Sequence, residues 1–192
     1  MNICVYGSSS DEINKEYITT VEHFGEEMAK RGHTLVYGGG AQGLMGAAAR
    51  GVTRGGGKIV GVSPTFFKVD GVLYDKCTEM VFTETMRERK QIMEDRSDAF
   101  VMTPGGIGTY EEFFEVLTLK QLNRHQKAIA ILNIRGYYDN MAELMERTAR
   151  ENFMKPETME LYKFFTDPKE ILDYFESYKP HEVNIKDMKY IK

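Results

Sequence analysis

The sequence has only two cysteines in 192 residues, Cys4 and Cys77, too few for a disulfide framework or a zinc site. Its four histidines, His23, His33, His125 and His181, lack any H-x-x-x-H or comparable ligand spacing, so each reads as a surface or satisfied histidine. No window approaches the roughly eighteen continuous apolar residues of a membrane span. The opening Met-Asn-Ile-Cys-Val-Tyr-Gly goes directly into a strand-like run, unlike a signal peptide. Excess charge is missing as well: 25 Lys and Arg against 29 Asp and Glu leave −4, which announces neither nucleic acid nor an anionic membrane as a partner. Ser8, Ser9 and Ser10 lack the G-x-S-x-G elbow of serine hydrolases. There is no internal repeat, low-complexity tract or obvious linker. What remains is a globular mixture, 42% apolar and 28% charged, long enough to bury a sizeable core. The expectation is a soluble cytoplasmic protein.

Short β-rich runs alternate with longer helical segments. Strands are expected at 2–6, 34–37, 58–62, 80–82, 99–102 and 128–132. Helices are expected at 11–31, 44–52, 84–96, 109–122 and 137–152. In the first helix Ile13, Tyr17, Val21, Phe24 and Met28 recur every three or four residues, which draws one apolar stripe, and Gly32 is placed to end it. Residues 44–52 are small and alanine-rich, as suits a helix packed closely on a sheet. Residues 63–80 carry few signals and read as irregular. Beyond 152, Pro156, Pro168 and Pro180 break up what reads as helical segments. The alternation implies βαβ units in an α/β, Rossmann-like domain over residues 1–178. Its mainly parallel central sheet carries helices on both faces, and a charged C-terminal tail follows over 179–192.

In such sheets ligands bind beyond the carboxyl ends of the strands. Three glycine- or serine-rich turns follow three expected strands, at 7–10, 38–43 and 105–109, and all three should open at one edge. Glycine lets a ligand approach the backbone, and the next helix start offers unpaired N–H groups and partial positive charge. Ser9, Gly39, Gly40 and Gly105 thereby become candidates for binding a phosphorylated ligand. Residues 38–43 match G-x-G-x-x-G, but no Asp or Glu lies between Gly38 and Asp70 to hold a ribose. An NAD(P)-binding oxidoreductase is therefore the alternative, beside a non-catalytic nucleotide-binding or carrier module.

The third turn, Pro104-Gly105-Gly106-Ile107-Gly108-Thr109-Tyr110-Glu111-Glu112, adds a hydroxyl and two carboxylates expected in the first helical turn. The bland reading is that these acids satisfy the helix start, with Thr109 and Glu112 spaced for a capping box. For Glu111 the structural and functional readings stand level. The run Arg87-Glu88-Arg89-Lys90 opens another expected helix, where cations are disfavoured unless an anion lies near. Arg offers a planar fork for phosphate or carboxylate and Lys a compact charge. Cys4 reads as a small core residue, and the Met and Tyr residues between 137 and 162 as core or interface material.

Pro104 to Thr109 with Glu112 forms P-G-G-x-G-T-x-x-E, the motif of the LOG ("Lonely guy") family, many of whose members were formerly labelled lysine decarboxylase. The chain resembles that family from Ile3 to about Phe153. The shared residues include Gly7-Ser8-Ser9, the Y-G-G-G-x-x-G-L-M-G run from Tyr37 to Gly46, Met86-x-x-Arg89-Lys90 and Asn133-x-x-Gly136-Tyr137-Tyr138. A decarboxylase label has no support, because no lysine sits in a recognisable pyridoxal-phosphate context.

The resemblance implies hydrolysis of the N-glycosidic bond of adenine-type nucleoside 5′-monophosphates, such as cytokinin riboside monophosphates or AMP, to free base and ribose 5-phosphate. It makes Arg89 and Glu112 catalytic. Lys90, Met86, Glu111 and the turn residues Gly106, Ile107, Gly108 and Thr109 would bind substrate, and Thr118 matches a further substrate-binding position. Arg87 stands where many members have His, and residues 63–72 offer no clear equivalent of a substrate-contacting glutamate in plant members. The resemblance also implies a homodimer with the site near the subunit interface. The chemistry fits the residues: a carboxylate stabilises an oxocarbenium-like state or activates water, while a held phosphate fixes the ribose. It requires no metal or cofactor.

Overall fold

The computed structural model describes residues 1–180 and 188. Among these residues seven strands, β1 (Asn2–Tyr6), β2 (Thr34–Tyr37), β3 (Lys58–Pro64), β4 (Glu79–Thr83), β5 (Ala99–Met102), β6 (Ala128–Leu132) and β7 (Lys163–Phe165), form one sheet in the order β4-β3-β2-β1-β5-β6-β7. Every pairing is parallel. Six α-helices among the described residues cover it: α1 (Lys15–Lys30), α2 (Gly43–Arg54), α3 (Met86–Asp95), α4 (Ile107–Gln121), α5 (Asp139–Arg150) and α6 (Pro168–Ser177). One core gathers Val21, Phe24 and Met28 of α1, the alanines of α2 and Ile171, Leu172 and Phe175 of α6. The other gathers Met93, Phe113, Val116, Leu117, Met141 and Met145 of α3, α4 and α5. The expected two-faced α/β architecture is present, with an all-parallel sheet. Cys4 is buried in β1.

The chain runs outward from β1 to β4, then returns to place β5 on the other side of β1. This reversal opens a crevice at the carboxyl ends of β1 and β5, the usual ligand position in such sheets. The turns that follow these two strands are stitched together. Ser8 N–H donates to Pro104 O at 3.0 Å, and the Thr103 N–H and hydroxyl both donate to Tyr6 O at 2.9 Å.

Several boundaries differ from expectation for identifiable reasons. Helix α1 starts at Lys15 because Asn14 caps it, accepting from Glu16 N–H at 2.9 Å, while the preceding loop places Asp11 against the start of α2. The small residues of α2 serve its contact with α1 as well as the sheet. A Cβ on Gly51 would lie 2.0 Å from Glu22 O, and one on Gly25 2.3 Å from Ala48 O. Helix α5 starts at Asp139 because residues 134–136 form a 3-10 turn with Arg135 at φ 57°. Strand β7 lies where helical segments were expected; three residues at a sheet edge are too few to show a period. The irregular stretch after β3 folds over the 38–43 turn, with Ala41 N–H donating to Val72 O and Tyr74 N–H to Gly39 O, both at 2.9 Å. Of the expected charged tail, 181–187 and 189–192 lie outside the described residues. Met188 packs into the second core, with the Thr158 hydroxyl 4.0 Å from its sulfur.

Candidate active site

A cavity of about 480 Å³ sits over the crevice. All three expected turns reach it: Ser8 and Ser9 after β1, Gly38 and Gly40 after β2, and Gly106, Ile107, Gly108 and Thr109 after β5. Its side walls come from Met86 and Arg89 of α3, Glu111 and Glu112 of α4, and Phe67, Val72 and Leu73 of the irregular segment.

Arg89 and Glu112 meet at the cavity floor. Arg89 Nη1 donates to Glu112 Oε1 at 2.9 Å, and Arg89 Nε to Val62 O at 3.2 Å at the end of β3. Arg89 is only 7% exposed. Gly38 makes room for it, since a Cβ there would fall 2.1 Å from Arg89 Nη2. That close approach is why the first glycine after β2 has no side chain. Burial pushes the Glu112 carboxyl above its ordinary range, and the Arg89 guanidinium opposes the shift. A buried carboxylate with one strong donor is a better base at neutral pH than an exposed one. Removing either partner of such a pair strands a buried charge, at a cost of about 3–5 kcal/mol.

Lys90 behaves differently from its neighbour. Its ammonium pairs with Glu111 and, at 2.6 Å, with Glu115, and it does not line the cavity. Burial works against its charge, but the two carboxylates outweigh that and hold it above its ordinary range. Lys90 thus fixes Glu111, which does line the cavity, to α3. One turn on, Glu94 faces the same cluster, and burial together with the Glu115 charge pushes it up to about 7.

The glycine-rich helix starts of α2 and α4 at the cavity are unlike. At α2, Gly43 N–H donates to Asp11 Oδ1 at 2.8 Å, and Leu44 and Met45 N–H donate to Ser8 O at 2.8 and 3.3 Å. The G-x-G-x-x-G turn has its helix-start donors already filled by protein, which removes the physical basis for a pyrophosphate there. At α4, Gly106 is the N-cap and supplies no side-chain cap. Among the described residues no side chain caps this start, and Ile107, Gly108 and Thr109, whose first-turn amides have no partner within the helix, line the cavity at the partial positive charge of a fifteen-residue helix. A Cβ on Gly106 or Gly108 would meet nothing within 4 Å, so packing does not explain these two glycines.

Two expectations about α4 are corrected. The helix begins at Ile107, so Glu111 and Glu112 are its fifth and sixth residues and lie in the second turn, out of reach as caps. Thr109 is already helical, and no Thr109–Glu112 capping box forms; the box lies at α3, between Thr85 and Glu88. Glu88 thus offsets the cations that open α3. Of the expected site residues, Ser9, Gly40, Met86, Arg89, Gly106, Ile107, Gly108, Thr109, Glu111 and Glu112 line the cavity. Gly39, Lys90, Gly105 and Thr118 do not. Gly39 turns the chain at φ 80°, and Gly105 is crowded by Thr109, whose Oγ1 would lie 2.1 Å from a Cβ. Thr118 is exposed two helical turns beyond Glu111. Sequence reasoning missed Phe67, Val72 and Leu73, which lie in a segment without periodicity. It also missed Asp11, whose role depends on a contact 32 residues away.

With this geometry in hand, likeness to known proteins is informative. Residues 45–175 match the family model described as "Possible lysine decarboxylase". A cytokinin riboside 5′-monophosphate phosphoribohydrolase of Arabidopsis thaliana is 35% identical over 94% of this chain and 84% of its own length. A probable one of Oryza sativa subsp. japonica is 37% identical over 93% of this chain and 78% of its own. Among solved structures, a molybdenum cofactor binding protein from Rippkaea orientalis superposes with a TM-score of 0.70 at 20% identity, covering 92% of this chain and 95% of that one. At that identity the likeness shows the fold alone. The sequence matches, over most of the chain, show that this chain belongs to the LOG family.

Proposed function

We propose that the cavity binds an adenine-type nucleoside 5′-monophosphate and hydrolyses its N-glycosidic bond, releasing free base and ribose 5-phosphate. The observation that carries this reading is a buried Arg89–Glu112 pair one turn inside an open helix start. The phosphate takes the first-turn amides of α4. Five residues at 1.5 Å rise put Glu112 about 7.5 Å further along the axis, a span that a ribose fills between its 5′-phosphate and C1′. There the carboxylate faces the positive charge that develops as the C1′–N bond breaks. Water attacks C1′, Glu112 accepts one of its protons, and the bonding pair leaves on the base nitrogen, which takes a proton from solvent. Arg89 keeps Glu112 oriented and charged enough to act.

The relatives' names support the phosphoribohydrolase class and cytokinin riboside monophosphates as substrates. The cavity wall supports the same class. Phe67, Val72 and Met86 stay exposed beside Leu73, a surface suited to an isoprenoid substituent on the base. AMP would use the polar half alone and leave this wall uncovered. In this reading Thr118 reaches substrate only in a homodimer, where the exposed Ile107 and Phe114 of α4 meet a second copy.

The test is incubation with AMP, isopentenyladenosine monophosphate and their nucleosides, with free base and ribose 5-phosphate quantified. The expected result is turnover of the monophosphates, the prenylated one faster, and little or none of the nucleosides. Comparable turnover of adenosine and AMP would defeat the phosphate anchor, and AMP recovered intact would favour a binding module.

A further inference from the structure

The motif Asn133-x-x-Gly136-Tyr137-Tyr138 takes no part in the chemistry above, yet it reaches the turn after β5. Tyr138 Oη donates to Thr103 O and Tyr137 Oη to Gly105 O, both at 2.8 Å. With Ser8 N–H on Pro104 O, three successive carbonyls of the turn are tied to protein donors. In a trans peptide the carbonyl and the following N–H point opposite ways, and no described peptide bond is cis. Holding the Gly105 carbonyl toward Tyr137 therefore turns the Gly106 N–H the other way, and Gly106 lines the cavity.

This restraint matters because the peptide lies between two glycines, where no Cβ hinders rotation. A flipped plane would aim the negative end of a carbonyl at the anion site. The rest of the motif sets the hydroxyls in place. Asn133 Oδ1 accepts from Tyr138 N–H at 2.7 Å, and Asn133 Nδ2 donates to Asp139 Oδ1 at 2.7 Å. Gly136 turns at φ 69° where a Cβ would fall 2.4 Å from Asp139 Oδ2. Tyr17 of α1 meets the Tyr137 ring edge-on at 6.0 Å, and the two adjacent tyrosines pack edge-on at 4.9 Å. Burial, with Tyr110 and Tyr17 beside it, pushes the Tyr137 hydroxyl above its ordinary range.

We propose that Tyr137 is a positioning residue whose hydroxyl holds the Gly105 carbonyl, so that the Gly106 N–H stands ready for the substrate's 5′-phosphate, while Tyr138 anchors the start of the turn at the carbonyl ahead of Pro104. This rests on the nucleotide reading of the cavity. The pre-set dipoles then need no reorganisation when the anion arrives.

The test is Tyr137→Phe, which removes one hydroxyl from a ring that is 41% exposed. Titration should show affinity for ribose 5-phosphate and AMP falling about 5- to 10-fold, as for one lost hydrogen bond. Adenosine affinity should change less than about twofold, and KM for AMP should rise more than kcat falls. Equal ribose 5-phosphate affinity in wild type and Tyr137→Phe, or an equal loss for adenosine, would overturn the positioning role. Wild-type protein that binds neither ribose 5-phosphate nor AMP would instead overturn the nucleotide reading.

Discussion

Two glycine-rich turns face each other across one cavity, and they have opposite fates. The turn before α2 is filled from within: Asp11, Ser8 O and Val72 O take its donors, and Tyr74 N–H takes the Gly39 carbonyl. The turn before α4 has its carbonyls tied and its amides open. The sixth residue of α2 is Ala48, packed against Gly25; the sixth residue of α4 is Glu112, paired with Arg89. A glycine-rich helix start therefore marks an anion site only when the protein leaves its donors unclaimed. In this chain one such turn is architecture and the other is the candidate binding element.

The largest expected effect lies at Glu112. Glu112→Gln keeps the shape and the hydrogen bond from Arg89 but removes the base, so kcat should fall roughly 10²–10⁴-fold while AMP still binds. In the wild type the acid limb of kcat/KM should lie above the ordinary carboxylate range, because burial raises the Glu112 pKa and protonation removes the base. An active, folded Glu112→Gln protein would reduce this residue to a structural partner of Arg89.

A more direct way to break the contrast is to give α4 the cap that α2 already has. Gly106→Asp places a carboxylate at the N-cap, where the φ of −97° and the open space accept a side chain. Stability should hold or rise by a few tenths of a kcal/mol. Affinity for ribose 5-phosphate should fall at least about 10-fold, since a fixed negative charge occupies the anion's place. Unchanged binding by this variant would put the phosphate elsewhere.

The smallest effect is expected at the filled turn. Asp11→Ala removes the cap on Gly43 N–H and should cost about 1 kcal/mol in denaturant unfolding. KM for AMP should change less than about twofold. A large loss of nucleotide affinity with little loss of stability would mean that the two turns share the ligand.

The strands of this fold were legible because buried parallel strands read as compact apolar runs, and Ala99–Met102 and Ala128–Leu132 appear where expected. The short edge strand β7 was not, because its partner β6 sets it, and the start of α1 was placed too early because Asn14, and not Asp11, caps that helix while Asp11 bonds the start of α2. In the site, the pairing of Arg89 with Glu112 followed from motifs that the family shares. That Lys90 turns to Glu111 and Glu115 instead of the cavity did not, since adjacent helical residues point in directions about 100° apart and only packing decides which faces the ligand. The apolar wall of Phe67, Val72 and Leu73 lies in an aperiodic segment and left no sequence signal.

The central claim is that the 5′-phosphate sits on the open start of α4. A crystal structure of the protein soaked with ribose 5-phosphate tests it most directly. The account predicts phosphate oxygens within hydrogen-bonding distance of the amides of residues 106–109, with C1′ toward Glu112. A phosphate seated instead on the 38–43 turn, or a sugar with C1′ directed away from Glu112, would contradict it.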